Sequence, residues 1–594
     1  MGASGPEFRR KAAAVAAALA LGAAVAATGC RPATADRTPW SDPSAHAFPD
    51  GWPYPADARA VTAHHGMVVT TDTLASAAGV EILRAGGNAM DAAIAVQFAL
   101  AVVHPQAGNI GGGGFAVVHT AEGGSGALDF REKAPLAATH DMFVDSAGKV
   151  TGASWTGPTA AGVPGSVAGM EELHDRYGTL PWARLLRPAI RLARDGFTVR
   201  SPLHDAIAEE ADRLRRFPAS AAIFLPGGEP PAVGDTLRQP DLARTLGAVA
   251  DGGASAFYDG WIADSLAAEQ ARDGGLMTRG DLDAYRAVWR DPIVAHYRGR
   301  TVVSMPPPSS GGVTLAEMLD ILSGFDLAEM GFHSPDAIHV TVEAMRRAYA
   351  DRNYYLGDPD FVKMPIGMLT SEAYADSLRA TIDMDHASPS SRFNKVPVES
   401  KETTHFSVVD SAGDAVAITT TLNGYFGSAV TVRGAGFVLN DEMDDFAARP
   451  GVPNAYGLVQ GEANAIAPGK RMLSSMTPTI VLDEAGRLEL VTGTPGGSTI
   501  ITSVLQIVTD QIDFGLPPQA AVNAPRFHHQ NLPDHIYYEP DGLDSAVIAE
   551  LRRRGHELVE RRGYSGDVNS IYVAPDGTLY GAADPRRKGA AIGY

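Results

Sequence analysis

Cysteine is nearly absent from this 594-residue chain. Cys30 is its only cysteine, so no intramolecular disulfide can form, and stability has to come from size and an apolar core. Positive charge is also in deficit: 49 Lys and Arg against 69 Asp and Glu leave a formal net charge of −20. A surface of that sign repels phosphates, and no basic stripe interleaved with aromatics offsets it, which excludes nucleic acid as a partner. There is no Walker loop, no dinucleotide fingerprint and no internal repeat at solenoid periods. Gly (64) and Pro (40) are plentiful but scattered, which fits a turn-rich globular enzyme rather than a low-complexity polymer.

Residues 12–27 are almost all Ala, Leu, Val and Gly, a run too short for a comfortable membrane span and preceded by Arg9, Arg10 and Lys11. Ala27-Thr28-Gly29-Cys30 follows and resembles a bacterial lipoprotein signal, with Cys30 the residue to be lipidated; a plain secretory signal is the alternative. Either reading predicts an exported protein, periplasmic or at the cell surface, touching the membrane only through a lipid anchor. Residues 31–60, rich in Pro, Asp, Ala and Thr, read as a tether.

Apolar spacing predicts a helix over 74–85, stopped by Gly86-Gly87, and a second over about 89–102 that Asn88 caps and that is apolar nearly all round. Ser334-Pro335-Asp336 starts another, with Ile338, Val342, Met345 and Tyr349 along one face. The last third changes to hairpins: 405–409 with 415–422, 479–482 with 488–492, and 570–573 with 578–581. Helices followed by antiparallel hairpins point to an α+β layered domain.

The chemistry centres on Glu402-Thr403-Thr404-His405-Phe406. Alone it is an ordinary strand start. With it come Thr421-Leu422-Asn423, Asn440 to Phe446, Leu473-Ser474-Ser475-Met476 and Thr494-Pro495-Gly496-Gly497-Ser498. Upstream stand His104-Pro105-Gln106-Ala107-Gly108, Gly111 to Gly114, Asp129-Phe130-Arg131-Glu132 and Met305 to Gly312. In this order, over roughly residues 60–594, the set resembles the γ-glutamyltranspeptidase family. The resemblance implies an N-terminal-nucleophile hydrolase with a four-layer αββα sandwich. It implies a precursor that cuts itself between Glu402 and Thr403 into a large subunit, 61–402, and a small catalytic subunit, 403–594, which stay associated.

A threonine hydroxyl needs a base, and a freed α-amine with a pKa of about 7.7 to 8.0 on the same residue supplies one already in position. His405, on the same face by alternation, reads better as a structural histidine. The resemblance gives Thr421 a supporting hydrogen bond to Thr403, and Gly496 and Gly497 an oxyanion hole. Arg131 suits an α-carboxylate, with Ser474 and Ser475 adding donors; Glu442 and Asp445, helped by Asn423, suit an α-ammonium. Pro450 to Gly457 resembles a lid loop closed by Tyr456. Met472 and Thr499 depart from common family residues; neither replaces a proposed catalytic group, and the departures leave the acceptor side open. Adjacent His528 and His529 in a strand point to opposite faces, so a shared metal is not expected, nor is any cofactor.

These readings predict transfer of the γ-glutamyl group of glutathione and related amides to amino acids, dipeptides or water. The alternatives are a glutaryl or cephalosporin acylase, a poly-γ-glutamate-processing enzyme, or a substrate-capture lipoprotein that matures without turning over.

Overall fold

The computed structural model describes Trp40 and residues 47–393, 403–452 and 461–594, all within one compact unit, 39–594. Two seven-stranded sheets form its centre. The first runs Ala590–Gly593, Met67–Thr70, Thr404–Val409, Ala415–Thr421, Gly113–His119, Ser125–Phe130 and Val288–Arg290. The second runs Val61–Ala63, Leu579–Ala583, Asn569–Val573, Leu488–Thr492, Thr479–Leu482, Arg300–Ser304 and Ile293–Tyr297. Each sheet mixes strands from before and after Thr403.

Alternation along the strands makes two faces, and each has its own core. In the first sheet Val68, Val408, Val416, Ile418, Ala116 and Val118 pack against helices that include Thr73–Arg84 and Ala89–Val103. Their neighbours Met67, Val69, Phe115, Val117, Val409 and Ala417 meet Val303, Ile480, Val491 and Ile571 of the second sheet. Helices Gly311–Leu322, Pro335–Tyr355 and Thr499–Ile512 cover the outer face of the second sheet. The result is helix, sheet, sheet, helix: the αββα sandwich.

The predicted helices form Thr73–Arg84, Ala89–Val103 and Pro335–Tyr355. Asn88 and Asp91 make a reciprocal capping box, and Asp410 accepts from the Ala89 amide (2.9 Å). Every residue of Ala89–Val103 is buried, as its all-round apolar surface requires. Ser334 caps its helix by accepting from the Ala337 amide (3.1 Å). The three predicted hairpins form with the expected pairings.

The end of the 31–60 segment is not a loose tether. The Trp52 indole donates to the Asn523 carbonyl (2.9 Å), and Asn523 donates to the Pro55 carbonyl (2.8 Å). Trp52, Tyr54 and Tyr564 enclose the buried Arg586 guanidinium, with ring centroids at 5.3, 5.0 and 5.9 Å. The polar composition reads as linker, but Trp52 and Tyr54 find their partners near the far end of the chain. Among the described residues no helix is long and apolar enough to cross a membrane.

Candidate active site

Thr403 opens the strand Thr404–Val409, and Thr421 closes its partner. The register pairs Thr404 with Thr420, which sets Thr403 beside Thr421. Both belong to the alternation set that faces the cleft between the sheets, with His405, Ser407 and Thr419. Thr403 is 5% and Thr421 2% exposed. His405 is fully buried; Thr419 Oγ1 lies 2.9 Å from its Nδ1 and Ser407 Oγ 3.2 Å from its Nε2. Burial pushes its imidazole down to about 3, so it stays neutral, and Gly493 leaves room for its ring.

The neighbouring loop turns sharply at Asn423, whose φ of +74° is in the left-handed region. Its amide donates to Thr421 Oγ1 (2.7 Å), and its side chain donates to the Asp441 carbonyl (3.1 Å). Asn440 fixes the acidic turn. Its Nδ2 donates to the carbonyls of Gly111 and Gly162 (both 2.8 Å), and its Oδ1 accepts from the amides of Gly162 (2.8 Å) and Glu442 (3.1 Å). The turn Glu442–Asp445 is thereby aimed at Arg131.

Arg131 is completely buried and forms short charge-assisted bonds to Glu442 and Asp445, with Glu132 3.6 Å away. The sequence reading gave these groups separate roles; in the structure they are one ion cluster. Burial alone would lower the Arg131 guanidinium, but Glu442, Asp445 and Glu132 outweigh it and hold it above its usual range. Burial pushes Glu442 and Asp445 upward, partly offset by Arg131. Burial raises Glu132 to about 7, against the pull of Arg131.

Ser474 and Ser475 are held by the segment containing Ser309 and Ser310. Ser474 donates its amide to the Pro308 carbonyl (2.9 Å), and its own carbonyl accepts from the Ser310 amide (2.7 Å) and hydroxyl (2.6 Å). At the opposite wall Gly496 (φ +138°) and Gly497 (φ +58°) precede the helix Thr499–Ile512. Such backbone favours glycine. Neither amide donates to an acceptor among the described residues.

One narrow cavity, with about 340 Å³ of empty space, is lined by Thr403, Thr421, Asn423, Arg131, Glu442, Asp445, Ser474, Ser475 and Gly497. Gly496 stands one residue behind its wall. Cys30, Glu402 and Tyr456 lie outside the described residues. His528 and His529 do not converge: Thr502 Oγ1 and Gln530 Oε1 flank the first ring, and the second ring accepts from the Asn531 amide and sits 3.4 Å from Asp534.

The sequence reading missed Arg352, which also lines this cavity. The signal was present: Arg352 continues the stripe Ile338, Val342, Met345, Tyr349 on the inner face of its helix. An arginine at a core position of an apolar stripe calls for a function.

A sandwich in which a threonine opens an inner strand onto a buried polar cleft defines an N-terminal-nucleophile hydrolase fold. The gamma-glutamyltranspeptidase family model matches residues 75–594. The glutathione hydrolase proenzyme of Escherichia coli K12 is 50% identical over 531 residues, 89% of this chain and 91% of that protein. Cephalosporin acylase from Bacillus halodurans superimposes with a TM-score of 0.81 at 31% identity, covering 92% of this chain and 99% of that one. The γ-glutamyltranspeptidase of Helicobacter pylori gives a TM-score of 0.54 at 46% identity, covering 54% of this chain and 93% of that one. The chain belongs to the γ-glutamyltranspeptidase family.

Proposed function

We infer that this chain is a self-processing γ-glutamyltranspeptidase and glutathione hydrolase. Its precursor matures into two chains that remain together, and it acts on glutathione and related γ-glutamyl compounds. The observation that carries this is the convergence of Thr403 and Thr421 with a buried Arg–Glu–Asp cluster in one cavity, in a chain half identical to a glutathione hydrolase proenzyme.

In the proposed mechanism, cleavage after Glu402 frees the Thr403 α-amine. That amine takes the proton of its own Oγ as Oγ attacks the γ-carbonyl carbon. The carbonyl electrons move to oxygen, which the amides of Gly496 and Gly497 receive; losing one such donor typically costs about 3 to 4 kcal/mol of barrier. The carbonyl re-forms, the C–N bond breaks, and the α-ammonium returns its proton to the departing amine. Water or an acceptor amine then attacks the γ-glutamyl ester by the reverse sequence. Thr421 steadies Thr403. Arg131, Ser474 and Ser475 take the α-carboxylate, while Glu442, Asp445 and Asn423 take the α-ammonium. Tyr456 closes a lid. Amino acids and dipeptides are the proposed acceptors. Export with lipidation at Cys30 completes the reading: Cys30→Ser should move the protein from the membrane to the soluble fraction, and equal partitioning of both forms would refute the anchor.

The acylase likeness supports a second reading, turnover of glutaryl amides. A glutaryl group brings a carboxylate that competes with Glu442 and Asp445 for Arg131, but lacks the ammonium that would offset those acids. Comparison of kcat/KM for matched γ-glutamyl and glutaryl anilides decides: γ-glutamyl should win by about a hundredfold or more. A preference for glutaryl would overturn the assignment.

A further inference from the structure

The two arginines of the cavity are in opposite electrostatic situations. Arg131 is saturated by carboxylates. Arg352 is 1% exposed, yet no carboxylate oxygen lies within 4.0 Å of it among the described residues. Its Nε donates to Ser310 Oγ (3.1 Å), one Nη to Asn353 Oδ1 (3.0 Å) and the other to Ser475 Oγ (3.1 Å). Among the described residues every acceptor is neutral, and three of its five N–H groups are used. Burial pushes the guanidinium down to about 10, with Tyr349 and Asp445 offsetting only part of that, so it remains charged at neutral pH. A buried cation without a counter-ion is costly, and proteins keep one where an anion arrives.

The surrounding structure shows where that anion would sit. An incoming carboxylate at Arg131 has to compete with Glu442 and Asp445. At Arg352 nothing negative has to be displaced, and the Ser475 hydroxyl already bridges the guanidinium to the cavity wall. A structural role for Arg352 at the end of its helix would explain bonds to carbonyls or solvent, but not a guanidinium turned onto Ser310 and Ser475 beside the nucleophile.

We propose that Arg352 is a specificity-determining residue, the second cationic group that, with Ser475, receives the free α-carboxylate of the donor. This rests on the γ-glutamyl reading and names the group that enforces it. It predicts a site that demands an α-carboxylate and is indifferent to Arg352 when the ligand has none.

The test uses the matured two-chain enzyme and the variants Arg352→Gln and Arg352→Lys. Turnover of γ-glutamyl-4-nitroanilide gives KM and kcat. Inhibition constants are measured for L-glutamate and for 4-aminobutyrate, which is glutamate without its α-carboxylate. For Arg352→Gln we expect KM for the anilide and Ki for glutamate to rise about ten- to a hundredfold, the worth of a charge-assisted hydrogen bond. kcat should stay within about threefold and Ki for 4-aminobutyrate should not move. Arg352→Lys should recover most of the loss, and it carries the test alone if the glutamine variant does not mature. Equal weakening of both inhibitors, or an unchanged glutamate Ki, overturns the proposal. Failure of the wild-type enzyme to turn over the anilide would instead sink the underlying γ-glutamyl reading.

Discussion

The two ends of the Thr404–Val409 strand face very different spaces. Beyond Val409, at the hairpin turns, a wide cleft of about 1750 Å³ is lined by His64, His119, Asp410, Asp483, Arg487 and Glu489 among others. At the Thr403 end the cavity is about a fifth as large, but Arg131, Arg352 and the Glu442–Asp445 turn enter it from three separate segments. In the wide cleft the Arg487–Asp483 pair reaches solvent, with the Arg487 side chain 61% exposed. In the narrow one the charges are buried and held by ion pairs and side-chain hydrogen bonds. Size marks where strands splay at their turns; convergent buried charge marks where chemistry is done.

The sharpest way to break this contrast is to neutralise a buried charge at the narrow end. Asp445→Asn should lose a hundredfold or more in γ-glutamyl kcat/KM while leaving any glutaryl turnover level or higher, read on matched anilides. Parallel loss on both donors would mean that Asp445 is structural. Next in size is the oxyanion wall. Gly497→Ala places a side chain at φ +58° and turns the amide, and kcat should fall by about 10² to 10³. The inter-sheet core that carries both ends should respond in stability alone. Phe115→Ala, at a fully buried position, should cost about 3 to 5 kcal/mol in denaturant unfolding.

Smaller is the pH effect of Glu132. Its pKa is raised by burial to about 7, so its contribution to stability is fully present below the ordinary carboxylate range and is lost as pH rises through about 7. Glu132→Gln should therefore flatten the fall in Tm between the ordinary carboxylate range, near 4.5, and about pH 7; an unchanged slope would place the titration elsewhere. Smallest of all, Arg487→Ala in the wide cleft should change kcat/KM by less than about twofold. A large loss there would erase the contrast between the ends.

Much of this was legible in the sequence, for identifiable reasons. Asn88, Asp91 and Ser334 are local caps, and hairpin alternation is a local period, so helices and strand pairs could be read directly. The site segments were found as motifs. Their coupling was not, because Arg131 meets Glu442 and Asp445 only through tertiary folding, more than 300 residues away in sequence. Arg352 was hidden by a helix whose stripe was read for its apolar members alone. Trp52 and Tyr54 were hidden because their stacking partner, Arg586, comes from the far end of the chain.

The central claim is that Thr403 becomes an N-terminus and that its amine is the base. The direct measurement is N-terminal sequencing of purified wild-type protein and Thr403→Ala, paired with γ-glutamyl anilide turnover. The wild type should give two chains, the smaller beginning Thr-Thr-His-Phe, with activity; Thr403→Ala should remain one inactive chain. Wild-type protein that is fully active while uncut would contradict the account.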